Sequence, residues 1–213
     1  MADFLTAYRL VRQVEGGYQD NPNDRGNYAC GDLIGTNKGI AAPTLQDWIS
    51  RCPTVEDMKS LTSETAQTIY KYYFWDRIRG DSYHNQSIAT MLFDTYVNQT
   101  GYFTTIVPNA IKKQVSGFGN YMSLPPSDYV IDTINNLNAN KLFHDLKDER
   151  EYWYRYQAEK PGQSVFLNGW LNRLNYLTFV EVYSKPVTYT LVALVLIAGF
   201  SYLMWMNRKQ IKV

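Results

Sequence analysis

Two carboxylate residues near the start of the chain have the types and surroundings that cleavage of a glycosidic bond uses. Glu15 follows an amphipathic segment and precedes Gly16 and Gly17, and Asp24 comes nine residues later in a polar loop. A carboxyl group that is partly buried at a helix end has a raised pKa, which a general acid needs near neutral pH. A second carboxylate in a contrasting, solvated environment completes such a pair. The same pattern is also typical of a plain helix end followed by a loop that an Asx turn shapes.

The elements that must position these residues are mostly helical. Apolar residues recur at helical spacing over residues 3–14, and the two glycines that follow Glu15 end this helix. The next stretch, residues 18–42, is rich in Gly, Asn, Asp and Pro, which predicts turns and a short β-hairpin. Periodicity and caps predict further helices over residues 44–51, 60–75, 87–99, 103–115, 127–139 and 165–183. The expected fold is therefore mainly α with one irregular insert.

Several motifs, in the right order, resemble those of the glycoside hydrolase family 108 muramidases. The string EGGYQDNPNDRG at 15–26 is similar to the Glu-Gly-Gly-Tyr signature of that family and the loop after it. The run TNKGI at 36–40 is similar to its Thr-Asn-x-Gly-Ile run. Three later strings also resemble family segments: LTSETAQTIYKYYFWDRI at 61–78, LFDTYVNQTG at 92–101 and FLNGWLNRLNYL at 166–177. The resemblance covers roughly residues 4–178.

This resemblance implies a lysozyme-like α+β domain whose small β-hairpin carries Asp24 and Thr36. It also implies hydrolysis of the β-1,4 bond between N-acetylmuramic acid and N-acetylglucosamine. Glu15 falls on the catalytic glutamate of the family and would protonate the leaving oxygen. Asp24, directly or through Thr36, would place the water. The chemistry needs no metal and no organic cofactor, and its stereochemistry depends on the carboxylate separation, roughly 6.5–9.5 Å for inversion and about 5–5.5 Å for retention.

Three further residues are expected to contact the substrate, namely Tyr18, Asn37 and Asn98. Tyr18 adjoins the signature glutamate, so its ring either stacks on a sugar or packs within the loop. Asp94 lies within an apolar helical pattern and is expected to be structural. Two residues of the last motif have two interpretations: Trp170 and Arg173 form either a core ring with a salt-bridged guanidinium or a pair that contacts sugar.

The sequence departs from the family pattern at two places. Gly26 is followed by Asn27 where the family has a second glycine, and residues 28–34 are extra. We expect this change to alter the floor of the groove. Residues 123–138 replace a glycine-containing motif of the family, which weakens the case for separate wall binding by the C-terminal half.

A long apolar segment predicts a membrane helix near the C-terminus. Residues 187–206 carry no charge and, at about 1.5 Å per residue, are long enough for a hydrocarbon core of ~30 Å. Four parts are expected, namely a lysozyme-like catalytic part (1–105), a helical, peptidoglycan-binding-like part (106–184), a transmembrane helix (186–207) and a basic tail (208–213). Basic residues after the helix place the C-terminus in the cytoplasm and the catalytic part towards the cell wall. The N-terminus has no features of a cleavable signal peptide.

The expected partners are peptidoglycan glycan strands, a lipid bilayer and a phage, secretion or injection assembly. The formal net charge of +1 lacks the basic surplus of a nucleic-acid binder. Two other functions fit the same motifs: a lytic transglycosylase, and an inactive peptidoglycan-binding structural component. The two cysteines, Cys30 and Cys52, either form a disulfide or are ordinary small residues.

Overall fold

The computed structural model describes residues 1–12 and 17–181. The described residues up to Val180 form one compact unit. The α-helices of the described residues are α1 (Phe4–Arg12), α2 (Ala42–Ile49), α3 (Val55–Lys59), α4 (Ser63–Tyr70), α5 (Gln86–Asn98), α6 (Thr100–Lys112), α7 (Asp128–Asn136), α8 (Ala139–Ala158) and α9 (Leu167–Tyr176). The strands β1 (Tyr28–Ala29) and β2 (Asp32–Leu33) pair antiparallel. The fold is mainly helical and lysozyme-like, as the sequence predicted, with a small two-stranded sheet.

Helix α5 is the central element of the core. Every residue from Ser87 to Tyr96 is buried, which is typical of a helix surrounded by protein on all sides. It packs against α1, α6 and α8, and α8 in turn packs against α6 and α9. The predicted boundary between residues 105 and 106 falls inside α6. Residues on both sides of that position therefore share one core.

An aromatic cluster fixes α1 on α5. The rings of Phe4 and Phe93 lie 6.0 Å apart, and those of Trp75 and Phe93 lie 5.6 Å apart in an edge-to-face arrangement. A side chain at Gly80 would place its Cβ 2.2 Å from the Trp75 ring, so this close approach requires glycine. Edge-to-face aromatic pairs add about 0.5–1.5 kcal/mol each to simple burial. The cluster therefore holds the helix that leads towards the signature glutamate.

The predicted fold class is wrong in one respect, the transmembrane helix. Among the described residues, no helix is both long enough and apolar enough to cross a membrane. Helices α5 and α6 are apolar but have 13 residues each, and the 20-residue α8 carries acidic and basic residues along its length. The segment 187–206, on which the prediction depended, lies outside the described residues. The corrected fold class is a mainly helical, lysozyme-like domain with one small sheet.

The predicted hairpin is present, but it does not itself carry the two residues assigned to it. Asp24 precedes a 3-10 turn (Arg25–Asn27) that leads into β1. Thr36 comes after β2 and forms an isolated antiparallel bridge with Gln19. The hairpin is only two residue pairs long, because its turn closes at Cys30 and Gly31 and the chain just before β1 is already in the 3-10 turn. Asp24 and Thr36 therefore flank the hairpin at its base.

Candidate active site

The Gly-rich insert is a small, cross-linked unit. Positive φ at both central turn residues, 53° at Cys30 and 92° at Gly31, suits the tight two-residue turn of a hairpin. Cys30 forms a disulfide with Cys52, with the two Cα atoms 5.9 Å apart. This bond ties the hairpin turn to the chain just after α2. Of the two alternatives that the sequence left open for the cysteines, the structure shows the disulfide. At the hairpin base, Gln19 and Thr36 exchange backbone hydrogen bonds of 2.9 and 2.8 Å.

Asp24 is half-buried at the start of the 3-10 turn, where it acts as the N-cap. Its Oδ1 accepts a hydrogen bond of 2.9 Å from the Gly26 backbone N–H. Its Oδ2 accepts a longer hydrogen bond of 3.3 Å from the side-chain amide of Gln19. The carboxylate is therefore held in one orientation by two different segments of the insert. The bond from the Gly26 N–H is also that of an Asx turn, and the placing of a water molecule by Asp24 stays a prediction.

Asn27 is the centre of the hydrogen-bond network that joins the predicted residues. Its side chain is fully buried, and its Nδ2 donates to Gln19 Oε1 and to the Asn21 carbonyl, both at 2.9 Å. Its Oδ1 accepts from Gln19 Nε2 at 2.9 Å and from the hydroxyl of Thr36 at 2.7 Å. All the hydrogen-bonding capacity of the amide is thereby used. Asp24 and Thr36 are thus joined through Gln19 and Asn27.

The backbone of Asn27 also holds the segment that follows β2. Its carbonyl accepts from the N–H groups of Ile34 and Gly35, at 2.8 and 2.9 Å. Gly35 has φ of +92°, and a Cβ there would lie 2.7 Å from the ring of Tyr18 and from the Gln19 carbonyl. Glycine is required at this position for both reasons.

Tyr18 and Asn37, two of the predicted substrate contacts, are engaged within the protein. The Tyr18 hydroxyl donates to the Ile34 carbonyl at 3.2 Å, and the ammonium of Lys59 lies 4.9 Å from the ring centroid. Removal from water raises the pKa of the Tyr18 phenol, and the Asp20 carboxylate acts in the same direction. Asn37 is buried and donates to the Met58 carbonyl at 2.8 Å. Both residues fasten the insert, and their contact with substrate stays a prediction.

Asn98, the third predicted contact, is exposed at the end of α5, where its amide donates to the carbonyl and the carboxylate of Asp94. Asp94 is 1% exposed and forms ion pairs with two arginines. Arg150 Nη2 lies 2.6 Å from Asp94 Oδ2, and Arg173 Nε lies 2.9 Å from Asp94 Oδ1. The structural role expected for Asp94 agrees with this geometry, as does the salt-bridged interpretation of Arg173.

This ion-pair triad reaches the end of α1. Arg173 on α9 also donates to the Val11 carbonyl at 3.4 Å, in the last turn of α1. Arg150 is fully buried on α8. Burial alone lowers its pKa, but the charge of Asp94 and the hydroxyl of Tyr154 outweigh this, and the pKa is raised. The triad therefore fixes four helices relative to one another through charge-assisted hydrogen bonds.

A cleft of about 630 Å³ opens beside Asp24. One wall is the segment Asn23–Asp24–Arg25, and the other comes from the end of α8, the segment that joins α8 to α9, and α9 itself, including Lys160, Phe166 and Trp170. The Trp170 ring stacks on Tyr154 and on Phe166, with centroids 5.4 and 5.9 Å apart. This volume is in the usual range for sites that bind small ligands. Trp170 therefore packs against Tyr154 and Phe166 and also lines the cleft.

The predicted general acid, Glu15, lies in the segment 13–16, outside the described residues. On either side of that segment, the structure describes the end of α1 and the start of the insert. The sequence did not predict the roles of Gln19, Asn27 and Arg150. The replacement of a family glycine by Asn27 was the one available signal, and it pointed to the groove floor without revealing the network. Arg150 is one of many charged residues in its stretch, and no local feature distinguishes it.

Comparisons with known proteins agree with the predicted family resemblance and with the fold. Residues 8–100 match the family model described as glycosyl hydrolase 108. Over these residues the chain is similar to that family, and it is a glycoside hydrolase, as its motifs predicted. This similarity supports the predicted activity at the level of a peptidoglycan hydrolase. The match ends at residue 100, so the peptidoglycan-binding character of the C-terminal part stays a prediction.

A solved structure gives an independent comparison of the fold. The chain is similar to SagA from Brucella abortus, with 24% sequence identity and a TM-score of 0.64. The similarity covers 82% of this chain and 90% of that one, so it extends well beyond the family match. A search of curated proteins finds no match.

Proposed function

We propose that this protein is an N-acetylmuramidase that hydrolyses the β-1,4 bond between N-acetylmuramic acid and N-acetylglucosamine in peptidoglycan. Glu15 is the general acid that protonates the leaving oxygen. Asp24, held by Gln19 and the Gly26 backbone, places the attacking water together with Thr36. Glycosidases of this kind use one protonated and one ionised carboxyl group, and they need no metal.

One observation carries this proposal, the orientation of Asp24. Its carboxylate is fixed by two hydrogen bonds at the edge of a cleft while remaining half-buried. A lytic transglycosylase needs the acid but has no use for a residue that places water. An oriented carboxylate beside a cleft therefore favours hydrolysis over an intramolecular transfer, and the match of residues 8–100 to a family of glycoside hydrolases agrees.

We also propose that the domain works outside the reducing cytosol, where its peptidoglycan substrate lies. The disulfide between Cys30 and Cys52 supports this proposal, because such bonds persist in oxidising compartments. The bond closes the insert that carries Asp24, so the same compartment would also favour the ordered site.

The test compares the full chain with its Glu15→Gln variant on purified peptidoglycan. We expect the parent chain to release muropeptides with reducing ends, and the variant to lose about 100-fold or more of the rate, since general acid catalysis contributes roughly 10²–10⁴-fold. Anhydro-ended products would assign the protein as a transglycosylase. Equal rates for the two proteins would remove Glu15 from the mechanism.

A further inference from the structure

The cleft beside Asp24 has features that the cutting of a neutral sugar chain does not use. Its lining includes two cations, Arg25 on one wall and Lys160 on the other, against the single carboxylate of Asp24 among the described lining residues. Lys160 is exposed, and its ammonium donates to the hydroxyl of Tyr102 at 2.9 Å. This hydrogen bond raises the pKa of Lys160, so the ammonium stays charged.

The position of Lys160 is fixed by aromatic rings. Its ammonium lies 5.6 Å from the ring centroid of Tyr102 and 5.5 Å from that of Tyr156. The Tyr102 ring in turn stacks on Trp153 at 4.5 Å. A lysine held in this way loses less conformational freedom when it binds an anion, because much of that freedom is already restricted.

We propose that this cleft binds the acidic stem peptide attached to the glycan strand, with Arg25 and Lys160 pairing with its carboxylates. The proposal rests on the proposed function. N-acetylated sugar rings of peptidoglycan carry hydroxyls and amides, whereas the stem peptides carry free carboxylates, so two facing cations match the peptide rather than the rings. The volume of about 630 Å³ accommodates a peptide of a few residues.

The proposal gives a function to residues beyond the family match. Arg25 belongs to the matched segment 8–100, whereas Lys160 and the other lining residues between Gln157 and Trp170 follow the end of that segment by more than fifty positions. The C-terminal part would then act as the second wall of the substrate cleft. The protein would then prefer glycan strands that still carry their stem peptides.

The test uses the full chain, the double variant Arg25→Gln with Lys160→Gln, and two substrates. One substrate is peptidoglycan with its stem peptides, and the other is the same peptidoglycan after its peptide carboxylates have been converted to amides, which leaves the lactyl groups of the sugars without free carboxylates. We expect the double variant to raise KM about tenfold on the unmodified strands, as the loss of charge-assisted bonds predicts, with kcat unchanged. On the amidated strands the variant and the parent should have the same KM. The variant Lys160→Arg should restore part of the lost affinity.

The matched control is Arg155→Gln, which removes a charge from α8 outside the cleft and should leave both KM values unchanged. An equal rise in KM on both substrates, or no rise on either, would overturn the proposal. A second measurement does not depend on the catalytic activity. Calorimetry with the tripeptide L-alanyl-γ-D-glutamyl-meso-diaminopimelic acid should detect binding to the parent and about tenfold weaker binding to the double variant. Absence of binding to the parent at millimolar peptide would overturn the proposal even if the muramidase activity is absent.

Discussion

At the scale of single residues, Asp24 is the most informative position that the structure describes. Replacement by Asn keeps the acceptor for the Gly26 N–H, because Asn is as good an N-cap as Asp, and loses only the longer hydrogen bond from the Gln19 amide. The fold should therefore persist while the charge that orients water is lost. We expect Asp24→Asn to lower kcat about 100-fold or more, within the range of general base catalysis, with little change in the melting temperature.

The control for this variant is Asp20→Asn, which removes a carboxylate from an exposed residue of the same loop. Steady-state release of reducing ends, measured for both variants beside the parent, separates the two carboxylates. Full activity of Asp24→Asn would favour a transglycosylase, which does not need a water-placing group.

A second residue, Asn27, tests the network that positions the site. Asn27→Ala removes a fully buried amide, which takes away the acceptor of the half-buried Thr36 hydroxyl and a donor to the Asn21 carbonyl, while the exposed Gln19 amide keeps its bond to Asp24. Each unsatisfied buried group costs about 1–3 kcal/mol, so we expect a loss of stability of that order. We also expect kcat to fall roughly tenfold at temperatures where the variant is folded, as small misplacements of catalytic groups commonly cause.

Urea denaturation and steady-state kinetics on the same preparations measure the two effects. Asn136→Ala, which removes an exposed amide from α7, is the control and should change neither quantity. A variant that loses stability but keeps the parent kcat and pH profile would show that Asn27 is purely structural.

At the scale of elements, the disulfide stabilises the insert by closing a loop. Cys30 and Cys52 are separated by 22 positions, and a loop of this length predicts about 3 kcal/mol of stabilisation from chain entropy. We expect Cys30→Ser with Cys52→Ser to lower the free energy of unfolding by about that amount. Addition of a reductant to the parent should produce the same loss and should not affect the variant. Equal unfolding curves for the oxidised parent and the variant would contradict stabilisation by this disulfide.

The ion-pair triad stabilises the packing of helices. Removal of Asp94 leaves Arg150 buried and without its anion, which typically costs about 3–5 kcal/mol. We expect Asp94→Ala to show a loss in this range by chemical denaturation. The exposed pair of Glu151 and Arg155 offers a control, and Glu151→Ala should cost at most about 1 kcal/mol. Similar losses of stability from the two substitutions would show that burial does not set the contribution of an ion pair in this protein.

The sequence predicted some elements well and others only in part, for local reasons. The helix predicted over residues 87–99 is α5, because its apolar residues and the Asn85 cap are local signals. The helix predicted over 127–139 ends at Asn136, because the side chain of Asn138 accepts from Lys141 N–H and begins α8 instead. The helix predicted over 60–75 ends as α4 at Tyr70 and continues as a π-turn.

At the scale of the whole molecule, the site could be predicted only as far as its contiguous motifs. The carboxylates lie within one short string, so their residue types and spacing were visible in the sequence. The wall containing Lys160 and the pairing of Asp94 with Arg150 join residues that are far apart in the chain. No local pattern records such long-range contacts, and the fold is needed to bring them together.

The most direct test of the central claim is hydrolysis of purified peptidoglycan by the full chain in water enriched in ¹⁸O, followed by mass spectrometry of the muropeptides. A muramidase adds the oxygen of water to C1 of the sugar whose bond it cuts. We therefore expect one ¹⁸O atom at new reducing ends, and we expect these ends to be N-acetylmuramic acid. Label on N-acetylglucosamine ends would contradict the assigned bond, and unlabelled anhydro ends would contradict hydrolysis itself.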